Sequence, residues 1–205
     1  MPPLDVGRAV AHLRRCDSML AEMMRAVGPC RFQPDRRNSA FHVLAQAIIS
    51  QQITGKAAAS IERKLLLALN RQRLSPADLL VASAAALRGA GLSRQKIAYL
   101  KDLAEKTRDG LPLRSLGRLE DEAVIGALTA VKGIGRWTAE MYLIFGLGRP
   151  DVLPVHDYGI RKALQVAYRL KKLPEPAWMR RKAEPWRPYR TIACWYLWRS
   201  LEGVR

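Results

Sequence analysis

The chain has 205 residues, enough to bury a core in one domain or in two small lobes. Its 35 Lys and Arg against 18 Asp and Glu leave a formal charge of +17, which points to a polyanionic partner, nucleic acid first and an anionic membrane second. A membrane span is excluded because the longest nearly apolar run, Leu79 to Leu87, is far short of the ~20 residues required. Asp5, Arg8, Arg14 and Arg15 break the opening segment before a secretory signal could form. Cysteines and histidines are too scattered for a metal site or a disulfide framework. A soluble, intracellular protein is expected.

In chain order, Val10 to Val27 reads as one helix ending at Gly28-Pro29. Asn38-Ser39 caps a helix on which Phe41, Leu44, Ala45, Ile48 and Ile49 share one face. It runs into Ser50-Gln51-Gln52-Ile53-Thr54, a polar cluster that suits a helix connection and a partner-touching loop equally well. Gly55 to Leu69 is a helix with Lys56, Arg63 and Lys64 on its polar side, and Ser75-Pro76 with Asp78 starts another. Ser83 to Leu87 makes a short helix, and Ser93 caps a longer one with Ile97, Leu100, Ala104 and Thr107 on its inner face. Residues 91–96, GLSRQK, form a candidate phosphate-touching helix start.

Leu119 to Val131 then delivers the chain to Gly133-Ile134-Gly135. A GxG turn between two helices lets backbone N–H groups converge on an anion, with Lys132 and Arg136 beside it; it also serves as a plain glycine cap between core helices. Ala139, Tyr142, Leu143 and Gly146 bury the next helix, and 146–154 is a loop. Asp157 stands at the start of a helix from Tyr158 to Leu170. Lys171 to Pro188 is proline-broken and basic, and Pro188 opens a last helix with Ile192, Ala193, Tyr196 and Leu197 inward. No segment alternates with period two, so the chain is all-α, with roughly ten short helices.

KGIGRWTAEM followed by LPVHDYGIRKAL resembles the helix-hairpin-helix, Gly/Pro-Asp (HhH-GPD) superfamily of DNA glycosylases, and within it the 3-methyladenine DNA glycosylase II type. AIISQQIT upstream and PWRPYRTIACWYLW downstream resemble it too, so the likeness runs over about residues 38 to 201. It implies a two-lobe helical fold with the active-site cleft between the lobes. The central lobe is expected over about 38–130 and the hairpin and catalytic segment over about 131–160, with 1–37 and 161–205 packing together as the second lobe. Longer members carry a β-rich N-terminal domain, for which the first 38 residues are too few, so a compact form is expected.

The resemblance implies a monofunctional enzyme, a monomer, that flips alkylated purines out of double-stranded DNA and hydrolyses the N-glycosidic bond, initiating base excision repair. It would be cytoplasmic and nucleoid-associated, or nuclear in a eukaryote, with no cofactor beyond the monovalent cation that some relatives hold on the hairpin carbonyls. Asp157 matches the catalytic aspartate, the fixed anion under the positive charge that develops on the sugar. Trp137 and Trp195 match base-pocket aromatics; Tyr142, Tyr158 and Trp186 are further candidates that suit core packing as well. Gln52 matches the wedge that fills the gap left by the flipped nucleotide, with Gln51 and Ile53 as neighbours. Lys132, Gly133, Ile134, Gly135, Arg136, Thr54 and Lys56 are the expected phosphate contacts. Relatives that also cut the strand place a lysine just after the GxGx turn; Trp137 stands there, so no lyase activity is expected. Competing readings are a glycosylase for oxidised, deaminated or mispaired bases, a non-catalytic DNA-binding module and a basic RNA-binding protein.

Overall fold

The computed structural model describes residues 4–35 and 37–202. Among these it contains helices and no strand, as the lack of period-two alternation predicts. The chain divides into two compact units, one formed by Asp35–Tyr142 and the other by Met1–Pro34 together with Leu143–Arg205. The stretch expected as one hairpin-and-catalytic segment is thus shared out: the hairpin belongs to the continuous unit and Asp157 to the discontinuous one.

The continuous unit holds α3 (Ala40–Ser50), α4 (Gly55–Ala68), α5 (Pro76–Val81), α6 (Ala84–Gly89), α7 (Arg94–Arg108), α8 (Asp121–Thr129) and α9 (Arg136–Met141). The first five begin at a hydroxyl cap, Ser39, Thr54, Ser75, Ser83 or Ser93, whose oxygen accepts a backbone N–H three residues on. α7 is the central helix. It packs against α3, α5 and α6, and its Leu100, Leu103 and Ala104 are fully buried with Leu44, Ile48 and Leu79.

The discontinuous unit holds α1 (Val6–Cys16), α2 (Ser18–Val27), α10 (Tyr158–Ala167), α11 (Pro176–Lys182) and α12 (Arg190–Glu202). α12 is its core helix, with Thr191 through Leu197 all buried against α1, α2 and α10. The helix expected from Val10 to Val27 is two helices, because Asp17 adopts extended backbone (φ −150°, ψ 108°) and caps α2. Its buried carboxylate accepts from Leu20 N–H at 3.1 Å, Tyr168 Oη at 2.6 Å and Trp186 Nε1 at 3.0 Å, and pairs with Lys182 Nζ at 3.1 Å. Burial alone would raise the Asp17 pKa; the donors outweigh it and hold the carboxyl below its ordinary value. Burial, with the Asp17 bond second, pushes the Tyr168 phenol up.

Within the proline-broken, basic stretch 171–188 the structure forms α11 and a short turn of helix over Glu184–Trp186. Pro176 sits in the first turn of α11, where a missing N–H costs nothing, and Met179, Ala183 and Trp186 turn inward. The last helix begins at Arg190 rather than at Pro188.

Candidate active site

Asp157 caps α10 with extended backbone (φ −67°, ψ 121°), and its Oδ1 accepts from Ile160 N–H at 2.7 Å. The same oxygen accepts from Trp198 Nε1 at 2.9 Å. With 8% exposure, the carboxylate is held by the protein rather than by solvent. Trp198 was not anticipated; the available signal was the spacing of Trp195 and Trp198, one turn apart on α12.

Of the aromatics proposed for the base pocket, Tyr158, Trp186 and Trp195 lie in the unit of Asp157, whereas Trp137 and Tyr142 lie in the other. Trp195 is buried at 8% exposure, edge-on to Tyr196 with centroids 4.9 Å apart, and the Arg199 guanidinium stands 5.5 Å from its ring. Trp186 takes the core-packing role: at 0% exposure, with its N–H donated to Asp17, it has no face to offer a base. Tyr158 is 68% exposed and Trp137 46%. Tyr142 is buried, which pushes its phenol up to about 12.

The hairpin is built from within the continuous unit. Val131 and Ile134 plug into its core, and Ile134 N–H donates to Val131 O at 3.1 Å. Gly133 has φ +80°, and a Cβ there would lie 2.1 Å from Tyr99 Cδ2, so the turn closes directly onto a tyrosine ring. Asp102 Oδ2 accepts Lys132 N–H at 2.8 Å while Lys132 Nζ stands 3.5 Å from Oδ1. Gln51 Nε2 donates to Gly133 O at 2.8 Å. Lys96 Nζ donates to Ile49 O at 2.6 Å and Gln51 O at 2.8 Å, with desolvation lowering its pKa. The Gln51 bond ties the loop after α3 to the hairpin, the Lys96 bonds tie that loop to α7, and the Asp102 bonds tie α7 to the hairpin.

Several assignments change in consequence. Gln51 braces the hairpin and is no wedge; Gln52, exposed at φ +58°, and Ile53, 37% exposed, form the tip of that loop. Lys96 turns inward, so within residues 91–96 its charge goes to two carbonyls, while Arg94 and Gln95 stay exposed. Thr54 caps α4, its exposed hydroxyl accepting from Ala57 N–H at 3.3 Å and keeping its O–H to donate. The Arg136 guanidinium is engaged by both oxygens of Glu122 and, at 3.2 Å, by Glu140; the Glu122 bond is the main cause that raises its pKa. Lys56, Lys132 and Gly135 remain exposed, and nothing lies within 4 Å of a Cβ built on Gly135.

No cluster of His, Cys, Asp and Glu among the described residues could hold a metal ion. A monovalent cation on the hairpin would meet carbonyls already in use, Val131 O by Ile134 N–H and Gly133 O by Gln51, each with one lone pair left to offer.

A family model described as HhH-GPD superfamily base excision DNA repair protein matches residues 45–188. The chain is 37% identical over 202 residues to DNA-3-methyladenine glycosylase 1 of Schizosaccharomyces pombe, covering 96% of this chain and 88% of that protein. Among solved structures it is similar to the S. pombe 3-methyladenine DNA glycosylase Mag1 in complex with abasic DNA, with a TM-score of 0.82 and 36% identity over 93% of this chain and 95% of that one. It is likewise similar to a DNA-3-methyladenine glycosidase from Bacillus halodurans, with a TM-score of 0.83 and 33% identity over 96% of this chain and 90% of that one. The matched span contains the loop after α3, the hairpin and Asp157, and the chain belongs to the HhH-GPD superfamily of base excision DNA repair proteins.

Proposed function

We propose that this protein is a monofunctional DNA glycosylase, acting as a monomer, that flips alkylated purines of the 3-methyladenine type out of double-stranded DNA and hydrolyses their N-glycosidic bonds. The observation that carries the proposal is the anchored carboxylate of Asp157, buried and held at Oδ1 by two N–H donors. Cleaving the bond to the base builds positive charge on the sugar, and a fixed anion lowers that barrier without reorganising. The same carboxylate orients or deprotonates the attacking water. Kinship to proteins named 3-methyladenine DNA glycosylases, one of them solved with abasic DNA, supports the choice of substrate.

In this reading Gln52, with Ile53, is the wedge, and the 133–135 backbone with Lys132 and Lys56 holds phosphates. Trp137, half-exposed, offers a ring face to a cationic base, an interaction worth ~1–2 kcal/mol, whereas Trp195 is buried against Tyr196 and Arg199. Their truncations separate binding surface from core. Trp137→Ala, at a half-exposed ring, should lower excision of methylated purines with little change in melting temperature or in binding to undamaged duplex. Trp195→Ala, at a buried ring, should also cost about 3–5 kcal/mol of stability. Circular-dichroism melting run beside single-turnover excision checks both.

The attacking group should be water. Trp137 carries no amine, Lys132 pairs with Asp102, and Lys96 donates to two carbonyls. Incubation with methylated duplex should therefore release free base and leave a strand that breaks only after alkali. Borohydride added during turnover should trap no covalent complex; a robust adduct lost on mutating a lysine would replace hydrolysis by a Schiff-base route.

A further inference from the structure

We infer that Trp198 is a positioning residue for the Asp157 carboxylate, fixing its rotation by one hydrogen bond, and that Gly159 is the position whose lack of a side chain admits the indole. The inference rests on Asp157 being the catalytic anion.

Capping α10 requires only the bond from Ile160 N–H, which the Asp157 side chain already accepts. The second donor, Trp198 Nε1 at 2.9 Å, reaches the same oxygen from α12, 41 residues downstream. Two N–H groups fill both lone-pair directions of Oδ1. The terminal torsion of an aspartate is broad, and two donors converging on one oxygen narrow it. Bonds from N–H to an ionised oxygen are among the stronger ones, and a base-excising anion gains from being set before charge develops.

The indole is itself located. Its ring lies 5.7 Å from Phe145 at an interplanar angle of 32°, and Phe145 in turn lies 5.9 Å from Phe32. Gly159, within the first turn of α10, completes the arrangement. A Cβ there would stand 3.1 Å from Trp198 Cδ1, 3.2 Å from Asp157 Oδ1 and 3.4 Å from Trp198 Nε1, pressing on both partners of the bond. Glycine is a poor helix residue, and the close approach of these partners accounts for its presence.

Trp198→Phe keeps an aromatic ring against Phe145 and removes the N–H. Single-turnover excision of a methylated purine should fall roughly tenfold to a hundredfold, while KM, affinity for an abasic duplex and the melting temperature stay near those of the unmutated protein. Gly159→Ala, which keeps the indole but displaces it, should show the same split of kcat from KM. Excision by Trp198→Phe within about twofold of the unmutated rate would overturn the inference. So would a lower kcat together with a raised KM and a lowered melting temperature in both variants, which marks a purely structural ring. Asp157→Asn in the same series separates the two levels: if it stays active, the reading of Asp157 fails; if it is dead while Trp198→Phe is fully active, only the positioning role fails.

Discussion

Asp157→Asn should reduce base release by on the order of 10³-fold or more, about 4 kcal/mol of barrier, while DNA affinity is kept or improved. Asparagine caps a helix about as well as aspartate, and its amide oxygen can accept from both Ile160 N–H and Trp198 Nε1–H, so α10 and its contacts should survive. What the substitution removes is the negative charge, which stabilises a sugar cation and repels phosphate. Single-turnover excision and an equilibrium binding titration on the same duplex check the two halves. A residual rate within about tenfold of the unmutated protein, ~1.4 kcal/mol, would rule out Asp157 as the catalytic anion.

Gly133→Ala should be the most damaging small substitution in the chain, and Gly135→Ala, two residues away, should leave the fold intact. At Gly133 the backbone is left-handed and the new methyl would lie 2.1 Å from the Tyr99 ring, so conformational strain and overpacking act together. Their sum is about 2–5 kcal/mol, a fall of roughly 5–15 °C in melting temperature, with loss of binding to damaged and undamaged duplexes alike. Gly135 has φ −87° and open space around its Cβ position. Alanine there should melt near the unmutated temperature and weaken DNA binding only by standing where the phosphate backbone approaches. Equal melting temperatures for the two variants would contradict the close packing of Gly133 on Tyr99.

Such distinctions could not be read from the GxG motif, which treats both glycines alike, because Tyr99 comes from a helix 34 residues earlier in sequence. The same holds elsewhere. Caps such as Ser39, Ser75, Ser83 and Ser93 were legible because each bonds an N–H three residues on, a local pattern. Asp17 makes the same local cap bond, from Leu20 N–H, but inside an apolar helical run; the donors that hold its carboxylate buried, Tyr168 and Trp186, lie 151 and 169 residues away and leave no local sign. Gln51 was placed beside the wedge by its position in the loop, while its acceptor, Gly133 O, lies 82 residues downstream. Arg136 reads as a phosphate ligand beside the turn, whereas in the structure Glu122 and Glu140 engage its guanidinium. The N-cap position of Asp157 is legible because it is local; the second donor that holds its carboxylate is not.

Excision of alkylated purines by hydrolysis is read out by quantifying free base released from four duplexes: methylated, oxidised, uracil-containing and unmodified. Free methylated purine should accumulate from the first, with little release from the other three. Preferential release from the oxidised or uracil-containing duplex, or no release from any of them by a folded protein that still binds DNA, would contradict the account.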